Sequence, residues 1–125
     1  MIENRERFNQ FIDYSGLTFG TLHPTDIDGV LEYRNKGFIL FEVKMNNVWM
    51  PQGQRIALTR ITDALAMSKP AILFVARHNV LDPRVDVDAS KCIVTEYYYK
   101  GQWWHGEKTL REMTADFIAY LEVAS

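Results

Sequence analysis

Apolar residues along the chain recur at spacings that predict both strands and helices. Residues 70–77, PAILFVAR, are almost continuously apolar, which is typical of a central strand buried on both faces of a sheet. Residues 38–44, FILFEVK, are predicted to form a strand that pairs with residues 26–33 through a tight turn at 35–37. The other strand predictions are residues 91–101 and, with a less regular pattern, residues 17–23.

Helical spacing is found in three other segments, which are residues 3–16, 51–68 and 108–123. In the middle segment Leu58, Ile61 and Leu65 form one apolar stripe, and Pro51 suits the first turn of a helix. The stripe of the last segment consists of Leu110, Met113, Phe117 and Leu121. The first segment is predicted to be a short amphipathic helix that ends near Gly16.

The order of these elements places the chain in the α/β class. It runs α-β-β-β-α-β-β-α if residues 17–23 count as a strand. A strand, a helix and a strand follow one another between residues 38 and 77, so at least one strand pair is expected to be parallel. We therefore expect a mixed sheet flanked by helices. The 125 residues contain no repeat and no linker, which indicates a single domain over residues 1–125.

Composition narrows the class of protein further. Cys92 is the only cysteine, so neither an intramolecular disulfide nor a cysteine-based metal site is expected. No apolar run approaches the roughly 20 residues of a membrane span, and the polar N-terminus does not suit a secretory signal. These features predict a cytoplasmic protein. The formal net charge of −2 argues against a dedicated DNA-binding module, but less against a nuclease, whose metal ions supply positive charge.

Charged residues at the ends of two predicted strands are the main candidates for chemistry. Glu42 and Lys44 end an otherwise apolar strand and share one of its faces, while Asp26 and Asp28 open the strand before it. If the two strands pair, these acids and the lysine can meet. The apolar stripe of the next helix, extended backwards, reaches Gln54, whose amide needs a polar partner near the same place. Two carboxylates so placed can hold Mg²⁺.

At this point the chain resembles the PD-(D/E)XK nuclease superfamily, which has a restriction-endonuclease-like fold. The resemblance rests on IDG at 27–29, FEVK at 41–44 and GQ at 53–54, together with the order of the elements around them. It implies that Asp28 and Glu42 ligate a metal ion with help from the Val43 carbonyl, and that Lys44 acts on the attacking water. Gln54 corresponds to a glutamine that follows the motif in several branches of that family.

The resemblance implies a nuclease that uses Mg²⁺ or Mn²⁺ to hydrolyse DNA, a structured or branched form included, with RNA as the less favoured substrate. Since the domain is small, a homodimer or a partner subunit is expected for gripping a duplex. The Pro-Asp dipeptide of the family name is absent, which keeps Asp26 as an alternative ligand. A catalytically inactive module that binds nucleic acid or protein, and a purely structural ion-pair cluster, are the alternative interpretations.

Two other segments carry weaker signals. LDPRVDVD at 81–88 contains three acids without the spacing of a calcium loop and is predicted to be a solvated loop. YYYKGQWWHG at 97–106 could stack on bases as in single-strand binders, but such aromatic strands more often supply core packing and a partner surface. Cys92 is expected to be a buried, inert thiol.

Overall fold

The computed structural model of the protein describes residues 12–124. Its main elements are β1 (Gly29–Tyr33), β2 (Gly37–Met45), α1 (Gln52–Ala66), β3 (Ala71–His78), β4 (Ile93–Tyr99), β5 (Gln102–His105) and α2 (Leu110–Ala124). Short 3-10 helices cover Ser15–Leu17 and Ala89–Lys91. The α/β class predicted from the sequence is confirmed. Most of the helix predicted at 3–16 lies outside the described residues, and residues 12–14 are irregular.

The five strands form one mixed sheet in the order β1-β2-β3-β4-β5. The parallel pair is β2 and β3, joined by α1, as the strand–helix–strand pattern predicts. All other neighbouring strands pair antiparallel, and tight hairpin turns join β1 to β2 and β4 to β5. The first hairpin turns through Arg34 and Asn35, both at positive φ, and the last turns through Lys100 and Gly101, also at positive φ. Such turns match the right-handed twist of paired strands.

The two helices cover opposite faces of the sheet, and each face has its own core. The α2 core includes Ile39, Ile72, Phe74, Val94, Leu110, Phe117 and Leu121. The α1 core includes Leu40, Met50, Leu58, Leu73, Val75 and Tyr98. Because strand side chains alternate between faces, even-numbered residues of β2 point to α1 and odd-numbered ones to α2. Within the described residues no helix is both long enough and apolar enough to cross a bilayer.

Four sequence predictions are wrong in detail. The strand predicted at 91–101 is two strands, β4 and β5, which turn at Lys100 and Gly101, so the predicted order α-β-β-β-α-β-β-α becomes β-β-α-β-β-β-α over residues 12–124. Residues 17–23 form no strand: one isolated bridge joins Phe19 and Leu22 around a turn, and the whole segment is exposed. The strand predicted at 26–33 begins only at Gly29, so both aspartates precede it. In α1 the buried position after Leu58 is Thr62, whereas Ile61 is 37% exposed. The hydroxyl of Thr62 donates to the Leu58 carbonyl at 2.8 Å, which satisfies its polar group inside the core.

Candidate active site

Glu42 and Lys44 lie on the α1 face of β2, as strand alternation predicts. Glu42 is 2% exposed, although it is a charged residue type that proteins rarely bury without partners. The Lys44 ammonium approaches Glu42 Oε1 at 3.7 Å, an ion-pair distance that is longer than a good hydrogen bond. Within residues 12–124 Glu42 Oε2 has no hydrogen-bond partner. A buried carboxylate oxygen in this state is costly, so it requires an explanation.

Asp28 is held beside Glu42 by the pairing of β1 with β2. Gly29 pairs with Phe41, so one further step of the same antiparallel register sets Asp28 opposite Glu42. Asp28 is itself exposed, and its Oδ2 accepts a hydrogen bond of 2.7 Å from the Val43 N–H. The Asp28 side chain therefore takes the hydrogen bond that the main chain of β1 would have made if the strand began one residue earlier.

This bond also fixes the direction of the Val43 carbonyl. In an antiparallel pair the N–H and C=O of one residue point to the same neighbouring strand, because hydrogen-bonded pairs exchange both bonds. The Val43 N–H points to Asp28, so its carbonyl oxygen lies on the Asp28 side of β2 as well. Two carboxylates and one main-chain oxygen thus converge at the edge of the β1–β2 pair.

Gln54 reaches the same place from the first turn of α1. Its Nε2 donates to the main-chain carbonyl of Asp26 at 3.5 Å, which ties the start of the helix to the segment before β1. Gln54 is half-buried, and besides this carbonyl its amide also acts on Glu42 of β2, the strand near which the sequence predicted its partner. Asp26 contributes that carbonyl, and its side chain is exposed. Asp28 is the aspartate whose charge acts on Glu42.

The surroundings of Glu42 disfavour its charged form. Burial raises its pKa from 4.5 to about 7, and the neighbouring Asp28 carboxylate acts in the same direction. The positive charge of Lys44 and the amide of Gln54 lower the pKa but do not outweigh these effects. Without a cation, two acids lie in one site, and the buried Glu42 holds its proton up to a pH of about 7. A perturbed acid of this kind is a frequent feature of functional sites.

A divalent ion with a preference for oxygen fits these groups. Mg²⁺ binds through one or two carboxylates and keeps several waters, so it does not need a cage made only of protein. Among residues 12–124 no three His, Cys, Asp or Glu side chains gather into a metal-binding cluster, so an ion here would have two side-chain carboxylates, Asp28 and Glu42, to bind. A cation between the two carboxylates would give Glu42 Oε2 the partner that it lacks.

A second charged cluster on the α1 face holds the helix in place beside the site. Arg55 forms a two-pronged ion pair with Glu96 at 2.8 and 3.2 Å, and its guanidinium lies 3.7 Å from the centre of the Trp103 ring. Two helical turns further on, the Tyr98 hydroxyl donates to Asp63 at 2.8 Å. The sequence analysis missed this cluster. Arg55 directly follows Gln54, so these contacts fix the first turn of α1.

The other sequence candidates have structural roles. Asp82 binds the Arg84 side chain, and Asp88 caps the 3-10 helix by accepting from the Ser90 N–H, so residues 81–88 are a loop as predicted. Cys92 is buried, as expected, and burial raises the pKa of its thiol. The aromatic strand is largely used in packing: Tyr97 contacts Phe74, and other rings pair across the sheet.

The function of the protein is inferred from the geometry of this site. The chain matches no protein-family model, and comparisons with curated proteins and with solved structures find no match either.

Proposed function

We propose that the protein is a metal-dependent nuclease that hydrolyses phosphodiester bonds of DNA at the site formed by Asp28, Glu42, Lys44 and Gln54. The observation that carries the proposal is the buried Oε2 of Glu42, which has no hydrogen-bond partner in the described part of the chain and belongs to the residue opposite Asp28. A buried acid with one oxygen that makes no hydrogen bond lowers the stability of the fold, and a cation bound to that oxygen would remove this cost. The resemblance to the PD-(D/E)XK superfamily supports the same assignment.

Asp28 and Glu42 would hold the ion, each in a different way. Asp28 is exposed and its Oδ2 is oriented by the Val43 N–H, so the carboxylate is held in position before a ligand arrives. Glu42 is buried and must lose its proton on binding, because its pKa is near 7. Bound Mg²⁺ or Mn²⁺ would supply charge neutralisation at the phosphate and an acidified water as the nucleophile.

Lys44 would act on the attacking water beside this pair. Its side chain is only 20% exposed and its ammonium lies 3.7 Å from Glu42 Oε1, so its charge acts within the site. An ammonium in this position orients a water by hydrogen bonding and offsets charge that develops on the phosphate oxygens. Gln54 holds the start of α1 against the segment before β1 and so keeps the wall of the site in position.

DNA is the proposed substrate, and a second copy of the chain is the proposed means of holding a duplex. The formal net charge of −2 provides no large basic surface, so one copy alone would bind a duplex weakly. Dimers bind two half-sites and double the contact area. Light scattering coupled to size-exclusion chromatography tests this part: a strict monomer at micromolar concentration, with and without DNA, would exclude it.

The nuclease proposal is tested by cleavage of plasmid, linear and four-way-junction DNA in Mg²⁺ or Mn²⁺. Wild type is expected to cut, whereas Asp28→Asn and Glu42→Gln each lose activity while keeping the far-ultraviolet circular dichroism of the fold. Glu107→Gln is the matched control, since Glu107 is an exposed acid in the connection between β5 and α2, and it should cut like wild type. Failure of the wild type to cut any DNA or RNA would overturn the proposal.

A further inference from the structure

An exposed tryptophan follows the strand that carries Glu42 and Lys44. Trp49 lies in the connection between β2 and α1 and is 90% exposed. Its neighbour Met50 is 7% exposed and packs into the α1 core, so the chain is anchored immediately after the indole. On the other side Asn46 donates to the His78 carbonyl at 2.6 Å, and the Val48 N–H donates to Met45 at 3.2 Å. Trp49 is therefore presented outwards between two fixed points.

Arg77 clamps the same connection from β3. Its Nη1 donates to the carbonyls of Met45 and Val48, at 3.0 and 2.5 Å. Arg77 pairs with Lys44 in the parallel register, so the two cations stand side by side at the carboxyl end of adjacent strands. In the described part of the chain these bonds use one nitrogen only, which leaves Nε and Nη2 of Arg77 free to bind an anion.

A groove of about 630 Å³ opens between the clamp and the indole, and its lining is suited to one nucleotide. It is lined by Asn46, Asn47, Val48, Trp49, Arg77 and Thr95. A guanidinium binds phosphate oxygens, an indole face stacks on a base, and side-chain amides can bond to base edges. These three kinds of group occur together here, next to the strand end that carries Lys44.

We propose that this groove binds an unpaired nucleotide beside the cleaved phosphate, with its base stacked on Trp49 and its phosphate on Arg77. The position relative to the cut rests on the proposed nuclease function, whereas the binding itself does not. In a continuous duplex every base face is already covered by its neighbours, so an indole can stack only on a base that has left the helix. The substrate class is therefore single-stranded DNA, or DNA with single-stranded branches, rather than uninterrupted duplex.

The test measures binding in EDTA, so that cleavage plays no part. A fluorescently labelled oligothymidine of about twelve nucleotides is titrated with the full chain, and the anisotropy gives the dissociation constant. Trp49→Ala is expected to weaken binding by about 5- to 150-fold, the range for losing one base–aromatic stack. Trp49→Phe should retain most of the affinity. Met67→Ala is the matched control, because Met67 is also 90% exposed but lies just after the far end of α1.

A second probe separates stacking from charge. An oligomer of the same length made only of abasic sugar-phosphate units has the phosphates but no bases to stack. It should bind wild type and Trp49→Ala with equal, weak affinity, and blunt duplex DNA should bind wild type more weakly than oligothymidine does. The proposal is overturned if Trp49→Ala binds oligothymidine as Met67→Ala does, or if wild type binds no oligonucleotide. Cleavage with unchanged binding in Trp49→Ala would reject this groove while leaving the nuclease proposal standing.

Discussion

The Asp28 carboxylate accepts a hydrogen bond from the main chain of Val43 at 2.7 Å, and so links the end of one strand to the strand that carries the other acid. The bond orients Asp28 without burying it, whereas Glu42, its opposite neighbour, is buried and has one oxygen for which the described residues supply no partner. The two acids thus differ in solvation although they face each other. This difference produces the testable consequences below.

The first prediction concerns stability and pH in the absence of metal. The folded-state pKa of Glu42 is raised from 4.5 to about 7, so the folded state holds more protons than the unfolded state between these values. Stability from this group is therefore complete below its unfolded pKa and is lost as pH rises through about 7. The loss amounts to about 3 kcal/mol at most, since one pKa unit corresponds to roughly 1.4 kcal/mol.

Urea unfolding in EDTA over a range of pH measures this effect, with Glu42→Gln as the comparison because it cannot ionise. The free energies of unfolding of the two proteins should run parallel at acidic pH and separate as pH rises, with the variant more stable above neutral pH. Saturating Mg²⁺ should restore stability to wild type and not to the variant, since a ligand stabilises only the state that binds it. Parallel curves at all pH values would show that Glu42 is not perturbed.

The second prediction separates the role of Lys44 from that of the two acids. Lys44→Met removes a cation 3.7 Å from Glu42 Oε1, so the variant should bind Mn²⁺ at least as tightly as wild type by isothermal titration calorimetry. Its cleavage rate should nevertheless fall by about 100-fold or more, as is usual when a group that stabilises charge developing in the transition state is removed. Asp28→Asn provides the contrast, because it should lose both metal binding and cleavage. Loss of Mn²⁺ binding in Lys44→Met would contradict the assigned role.

The third prediction concerns the chain between β5 and α2. A Cβ on Gly106 would lie 2.5 Å from the Val94 carbonyl oxygen, a backbone atom that cannot move aside. Gly106→Ala should therefore lower the free energy of unfolding by about 2 kcal/mol or more. Gly53→Ala is the opposite case: nothing lies within 4 Å of its Cβ position in the first turn of α1, so the variant should gain about 0.5 kcal/mol. Equal effects in chemical denaturation would contradict this part of the structure.

The sequence predicted the centre of the molecule well because its signals there are physical and local. The continuous apolar run of β3 and the crossover through α1 determined the parallel pair. The alternation of side chains along β2 predicts that Glu42 and Lys44 share one face, and their charged groups lie 3.7 Å apart in the structure. The burial of Glu42 and the Val43–Asp28 bond depend on register, which the sequence pattern leaves free by one residue.

The errors have identifiable causes as well. The hairpin between β4 and β5 turns at Lys100 and Gly101, and this pair lacks the Asn or Asp that usually marks such a turn. Thr62 was not recognised as a core residue because its hydroxyl is polar until it bonds back to the helix. Arg77 carried a usable signal, since a charged residue that ends a buried strand is the same pattern that drew attention to Lys44.

The most direct test of the central claim, that Asp28 and Glu42 hold a divalent ion together, is anomalous diffraction from a crystal equilibrated with Mn²⁺ above neutral pH. The account predicts an anomalous peak within about 2.5 Å of oxygens from both carboxylates, with the Val43 carbonyl oxygen as a further ligand. The same experiment on Asp28→Asn crystals should show no peak there. Saturating Mn²⁺ with no density between these two side chains in wild type would contradict the metal site and the nuclease function built on it.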